Sequence, residues 1–355
     1  MSMRIAGGTL VAIFLSGCGA DTGTEEVVDA VEQENVVQEN VVNIYTSRHY
    51  DTDLAMYEGF TAETGIQVNR IEAGADELIA RITAEGEFSP ADVLVTVDAG
   101  RLWRAEEAGI FGSVDSDVLN SRIPDSLRHP DGLWYGLSTR ARVIVYNKEA
   151  GKPDGLENYE DLADPAHAGR VCIRSSGNIY NISLMASLIA HNGSEAADEW
   201  GRGVVSNFGR EPQSNDTGQV RAVASGECGI AIANTYYIAR LVASDNAEDN
   251  AVVNNIGVIF PNQATTGTHV NISGAGVIKT APNRENAVRF LEYLTSDTAQ
   301  QYFANGNHEY PVVTGLAGSE ALQSLGEFKA DSLNAGQLGI HQSEAVMVFD
   351  RVGWK

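Results

Sequence analysis

With 355 residues, 43% of them apolar, and Gly and Pro spread throughout, the chain is long for one domain and suits a globular α/β protein with two lobes, each around its own core. Its 24 lysines and arginines stand against 48 aspartates and glutamates. The formal charge of −24 argues against nucleic acid, whose phosphates need clustered basic residues, and such acidity usually just keeps a protein soluble.

Met1 to Arg4 supply one positive charge, Ile5 to Leu15 a short apolar stretch, and "LSGC" closes it. Residues 1–17 read as a secretory signal, too short to span a membrane. Leu15-Ser16-Gly17-Cys18 resembles the bacterial lipobox, which makes Cys18 the lipidated first residue of a mature, membrane-anchored lipoprotein; a free cysteine behind a plain signal is the alternative. The stretch 18–42 holds seven acids and no base, with "QENVV" written twice, and reads as a tether. Without Arg4 and those acids, 23 bases still face 41 acids, so the folded body is acidic too. Cys172 and Cys228 are the remaining cysteines; an oxidising compartment favours a disulfide between them, and two buried thiols in neighbouring strands are the other reading.

From Val41 the pattern alternates. "VVNIYTS" is strand-like, 52–64 helix-like, "IQVNRIEA" strand-like, 75–86 helix-like and "ADVLVTV" strand-like, a β-α-β-α-β order that implies a parallel sheet with covering helices. "RLWRAEEAGIF" continues as a helix to Gly112, and "LWYGLSTRARVIVYNKE" is a strand long enough to cross between lobes. Then come "GRVCIRS" as strand, helices over 179–191 and 195–208, "GECGIAIAN" as strand and a helix over 235–244. "IGVIFPNQ" leads to "HVNISGAGVIKTAPN", a second crossing strand, followed by helices over 282–295 and 297–305, the first with apolar Ala287, Val288, Leu291 and Leu294 on one face. This divides the chain into one lobe of 43–138 plus 272–315 and another of 139–271 plus 316–355, hinged around a cleft. Open α/β sheets bind ligands at the carboxyl ends of their strands.

Four strand ends carry unusual side chains: "TSRHYDTD", "STRARV", "RSSGNIYNIS" and "IANTYYIAR". They gather His49, Tyr50, Tyr180, Tyr236 and Tyr237, four of the twelve tyrosines. Phenols in a cleft commonly stack on flat ligands. They are also hard anionic donors suited to Fe(III), provided the metal charge displaces protons from groups that ionise near pH 10. In "IANTYYIAR" the strand stops at Asn234, whose side chain would fix the turn, so two successive phenols escape strand alternation and converge on one ion.

"SRHYDTD", "RSSGNIYN" and "GECGIAIANTYY", in this order, resemble the iron-binding proteins of bacterial ferric ABC importers, in the cyanobacterial and marine branch, from about Val41 to the C-terminus. The resemblance implies a type II periplasmic binding protein, similar to a transferrin lobe, with His49, Tyr50, Tyr180, Tyr236 and Tyr237 as metal ligands. It further implies a periplasmic monomer that takes Fe(III), with Fe(II) as a second candidate, and delivers it to a permease. The anchor is then its only membrane contact, and no catalysis is involved. Five protein donors fill the sphere without a synergistic anion, although Ser175, Ser176 and Gly177 precede a helix, where either an anion or a serine cap fits. Arg140 and Arg240 read as charge compensation around the phenolates, with an ordinary salt bridge as the alternative for each; Arg240, three residues past Tyr237, shares its helix face. The competing class is a binder of a small organic or oxyanion ligand, of polyamine or sulfate type. A secreted enzyme is disfavoured by the lack of any visible nucleophile and base pair.

Overall fold

The computed structural model describes residues 40–355. The signal stretch, Cys18 and the tether up to Glu39 lie outside the described residues. The first apolar run forms β1 (Val41–Thr46) and leads into α1 (Thr52–Thr64), whose Met56, Tyr57 and Phe60 fall on one face at helical spacing and enter the core. Gly65 ends that helix in left-handed backbone at φ 73°, its N–H donating back to the Thr61 carbonyl. β2 (Gln67–Glu72), α2 (Ala75–Glu85), β3 (Val93–Val97) and α3 (Ala99–Glu107) repeat the unit. α3 ends before the expected Gly112, because Gly109 turns left-handed at φ 67° and Phe111 leaves to bridge Ile278.

β1 lies between β2 and β3 and runs parallel to both, as helical crossovers require. The expected parallel sheet extends no further. After the short α4 (Asp117–Arg122) comes β4 (Tyr135–Asn147), and β8 (Val270–Val277) pairs antiparallel with both β3 and β4.

The thirteen-residue β4 changes partners midway. Tyr135 to Ala141 pair with β8, whereas Arg142 to Asn147 pair with β6 (Ile230–Asn234) and β7 (Ile256–Ile259). The two-residue β9 (Tyr310–Pro311) sits against Ser138 and Thr139. The strand expected from "GRVCIRS" shrinks to β5 (Val171–Cys172), parallel to β6, because Arg174 leaves to bridge Gln213. Cys172 is bonded to Cys228, in the turn before β6, as a disulfide.

The helices of this second half are α5 (Ile179–Ser206), α6 (Asp216–Ala224), α7 (Thr235–Val242) and α8 (Ala247–Asn255). α5 runs through both expected helices and breaks at Gly193, where φ is 81° and ψ 165°. α9 (Arg284–Leu294) and α10 (Asp297–Asn307) follow β8, and α11 (Glu320–Gln323), α12 (Gly336–Ile340) and α13 (Gln342–Val352) end the chain.

Separate cores hold the two halves. Ile44, Phe60, Val95, Phe290 and Phe303 pack in one, and Met185, Trp200, Ile230, Val348 and Phe349 in another. This is the two-lobe α/β architecture expected from the sequence, and β4 is the strand that passes from first-half to second-half partners, whereas β8, expected as a second crossing, pairs only with β3 and the first half of β4. The C-terminal stretch also reaches the first half: α12 lies on α3 so closely that a Cβ on Gly339 would collide with Trp103.

Candidate metal centre

All four tyrosines sit where a strand gives way to a helix. Tyr50 lies between β1 and α1. Tyr180 is the second residue of α5, held by its own N-cap, since the Asn178 side-chain oxygen accepts from the Tyr180 N–H at 3.1 Å. Tyr236 and Tyr237 are the second and third residues of α7, which begins directly after β6. At that junction the alternation of a strand is replaced by a helical turn, and the two rings lie side by side with centroids 4.2 Å apart, tilted by 32°.

The phenols converge. Tyr236 Oη donates to Tyr180 Oη at 3.2 Å. The Arg240 guanidinium spans the gap to the first lobe, 5.0 Å from the Tyr236 ring centroid and 5.1 Å from that of Tyr50. It therefore faces Tyr50 and Tyr236, one turn back along α7, rather than the Tyr237 expected from a spacing of three. Burial, reinforced by Tyr237, pushes the Tyr180 phenol up to about 12, against the pull of the Arg140 guanidinium. The Tyr236 phenol is pushed well above the usual range by burial and then by Tyr180, Tyr237 and Tyr50. Tyr180 and Tyr236 thus each lie within electrostatic reach of Tyr50 and Tyr237.

His49 stands apart from them. Its side chain is 64% exposed, and Nδ1 is 3.9 Å from a Glu72 carboxylate oxygen on β2.

Two buried charge clusters lie behind the phenols. In the first, Arg48 makes a two-pronged pair with Asp53, at 2.7 and 3.0 Å, and reaches Ser273 at 2.6 Å and Glu309 at 3.0 Å. Its guanidinium lies 4.8 Å from the Tyr50 ring centroid. Arg140 shares Ser273 and Glu309 through Nη2 and belongs to this interior network, the salt-bridge alternative weighed for it. Arg48 and Arg140 together hold the Glu309 carboxyl down to about 2, against burial.

In the second cluster, Asp216 accepts from Arg142 at 3.2 Å, from Arg174 at 3.4 Å and from the Asn234 N–H at 2.9 Å. Arg174 and Arg142 lie 5.4 and 6.0 Å from the Tyr180 ring centroid. The Asn234 side chain does not cap α7, as expected from the turn; its oxygen accepts from Arg142 Nη1 at 3.0 Å. Neither Ser175 nor Ser176 caps α5, because Asn178 does, and the Ser176 N–H donates to the Lys355 carbonyl at 2.9 Å.

Five guanidiniums (Arg48, Arg140, Arg142, Arg174, Arg240) therefore face three carboxylates (Asp53, Asp216, Glu309) around the phenols. Arg140 Nε and Nη1, Arg142 Nε and Asn234 Nδ2 are buried without an acceptor. These orphaned atoms are all donors, free to take negatively charged partners when the phenols ionise. Among the described residues, no group of three or more His, Cys, Asp or Glu is arranged to hold a metal ion. The donors on offer are phenolic.

Arg48, Arg142, Arg174, Asp216 and Glu309 were not singled out from the sequence. Arg48 stands inside the "SRHYDTD" segment already noted, and Arg142 lies two residues past Arg140 on one strand, a spacing that puts both on one face. Nothing local marks Glu309, which follows α10 and reaches the site only through the fold.

The fold and this phenol-lined cleft define a solute-binding protein, and residues 88–327 match the model of the bacterial extracellular solute-binding proteins; the chain belongs to that family. It is 52% identical over 342 residues to iron uptake protein A1 of Synechocystis, covering 96% of this chain and 93% of that relative. A Trichodesmium protein solved in complex with iron and citrate superposes with a TM-score of 0.86 at 54% identity, over 89% of this chain and all of that one. The ferric binding protein from Campylobacter jejuni superposes with a TM-score of 0.83 at 38% identity, over 88% of this chain and all of that one. These relatives bind or take up iron and are not named as enzymes. Among the described residues, no helix is long and apolar enough to cross a membrane.

Proposed function

We propose that this protein captures ferric iron outside the cytoplasm, in the cleft between its lobes, and hands it to an ABC permease. The observation that carries this reading is the convergence of four phenols from both lobes against a surplus of guanidiniums. Tyr50 comes from one lobe and Tyr180, Tyr236 and Tyr237 from the other, so an ion bonded to all four favours the closed form. His49 supplies the fifth donor by rotating away from Glu72. We place the hinge where β4 leaves β8 for β6, between Ala141 and Arg142.

Fe(III) with four tyrosinates carries a net −1, and Fe(II) would leave −2. Two guanidiniums in excess of the carboxylates suit either, and the ferric ion gains more from hard phenolate oxygen. With five protein donors no anion is needed. Cys18 anchors the protein as a lipoprotein, which acts as a monomer.

Adding a ferric salt presented as a weak chelate to the purified protein should produce an orange to purple phenolate-to-iron absorption that saturates at one iron per chain. Sulfate or a polyamine should neither compete nor bind. A protein that stays colourless, or that binds sulfate or a polyamine in calorimetry, contradicts the assignment.

A further inference from the structure

Among the described residues, the buried Glu309 is the one acid that touches both Arg48 and Arg140, and the iron-binding reading so far counts only its charge. Its carboxylate also accepts from Ser138 at 2.8 Å, and Ser273 lies between the two guanidiniums. β4, β8 and the turn into β9 thus meet on this one side chain. Arg140 spends Nη2 on Glu309 and Ser273 and keeps Nε and Nη1 buried without acceptors. The phenols that act most strongly on Arg140 are Tyr180 and Tyr236.

We propose that Glu309 is a positioning residue for iron binding, which pins Arg140 by one edge so that its two free donors serve the Tyr180 and Tyr236 phenolates. It also cancels one of the two positive charges that the buried guanidiniums would otherwise add behind the metal.

This rests on the ferric reading and makes a separate, signed prediction. Glu309→Gln keeps the shape but leaves the floor one charge more positive. A more positive floor favours the ion that leaves the centre more negative, Fe(II) over Fe(III). At a separation of several ångströms in protein, one charge changes the ratio of the two affinities about tenfold, which is ~59 mV for a one-electron couple. The double variant Arg140→Met with Glu309→Gln removes one charge of each sign. The guanidinium that served the phenolates is the nearer of the two, so here the shift reverses.

The experiment is a spectroelectrochemical titration of the iron-loaded protein at neutral pH. The expected result is a midpoint potential raised about tenfold in ratio for E309Q, lowered for the double variant, and unchanged from wild type for Glu309→Asp. A merely structural role loosens the site in both variants and moves both potentials the same way, which would overturn the proposal, as would an unshifted E309Q. Should E309Q fail to fold, the double variant decides, because removing both members of a buried pair is tolerated better than removing one; an unchanged potential there rejects the proposal. Wild type that takes up no iron would sink the ferric reading instead, so the two failures are distinguishable.

Discussion

Replacing Tyr236 and Tyr237 together by phenylalanine is expected to abolish tight iron binding while leaving the protein folded. Both rings remain, so the 4.2 Å stacking and the packing of the buried Tyr236 survive. What disappears is two anionic oxygens and the hydrogen bond from Tyr236 to Tyr180. A net hydrogen bond contributes about 1 kcal/mol, so the thermal midpoint should move by only a few degrees. Loss of an outer-shell partner at a metal site typically costs about 10–100-fold in affinity, and loss of two direct ligands must exceed that. Isothermal competition against a chelator of known strength reads the change. If the sites instead stack an organic ligand on an aromatic wall, the phenylalanine variant binds as well as wild type, and the ligand assignment falls. His49→Ala should cost much less than the double change, because an exposed imidazole that must first leave Glu72 contributes less than a preset phenol.

Iron binding is also expected to release protons, and acid to reverse it. Burial and neighbouring phenols push Tyr180 up to about 12 and hold Tyr236 well above the usual range, so both are protonated in the metal-free protein at neutral pH. Each tyrosinate bonded to iron means one proton expelled. The metal-free form binds more protons, so affinity is greatest at high pH and falls as pH falls. Where n protons leave, the logarithm of the apparent affinity drops by about n for each pH unit. At least two should be counted, from Tyr180 and Tyr236, and four if every phenol ionises. Adding a preformed ferric chelate to lightly buffered protein containing an indicator dye, corrected for the chelate alone, measures the number. Release of less than one proton per iron would mean that the phenols stay neutral and are not the ligands.

Much of the fold was legible in the sequence because its elements are punctuated locally. α1 spans the expected 52–64, with Gly65 as its stop, and the strands around Ile44, Val95 and Ile232 lie where the apolar runs put them. The misjudged elements depend on distant partners. "GRVCIRS" has the composition of a strand, but only Val171 and Cys172 find β6 beside them. The orientation of β8 against β3 is decided by which lobe it returns from, and no window of residues carries that.

The site divides the same way. "NTYY" announces itself, because a strand ending in a polar residue and followed by adjacent phenols has few purposes. Glu309 and Asp216 are silent in the sequence, each a single acid among 48, and gain meaning only when folding brings them against paired arginines. The turn-fixing role expected of Asn234 failed for a related reason: its side chain is claimed by Arg142, from a strand ninety-two residues earlier in the sequence, before it can cap its own helix.

Resonance Raman spectroscopy of the iron-loaded protein, excited within its visible absorption, reports which side chains hold the iron. The account predicts ring and carbon–oxygen modes of iron-bound tyrosinate in wild type, weakened in Tyr180→Phe and absent when Tyr236 and Tyr237 are both phenylalanine. An iron-loaded protein whose spectrum lacks tyrosinate modes, or keeps them unchanged in the double variant, would contradict it.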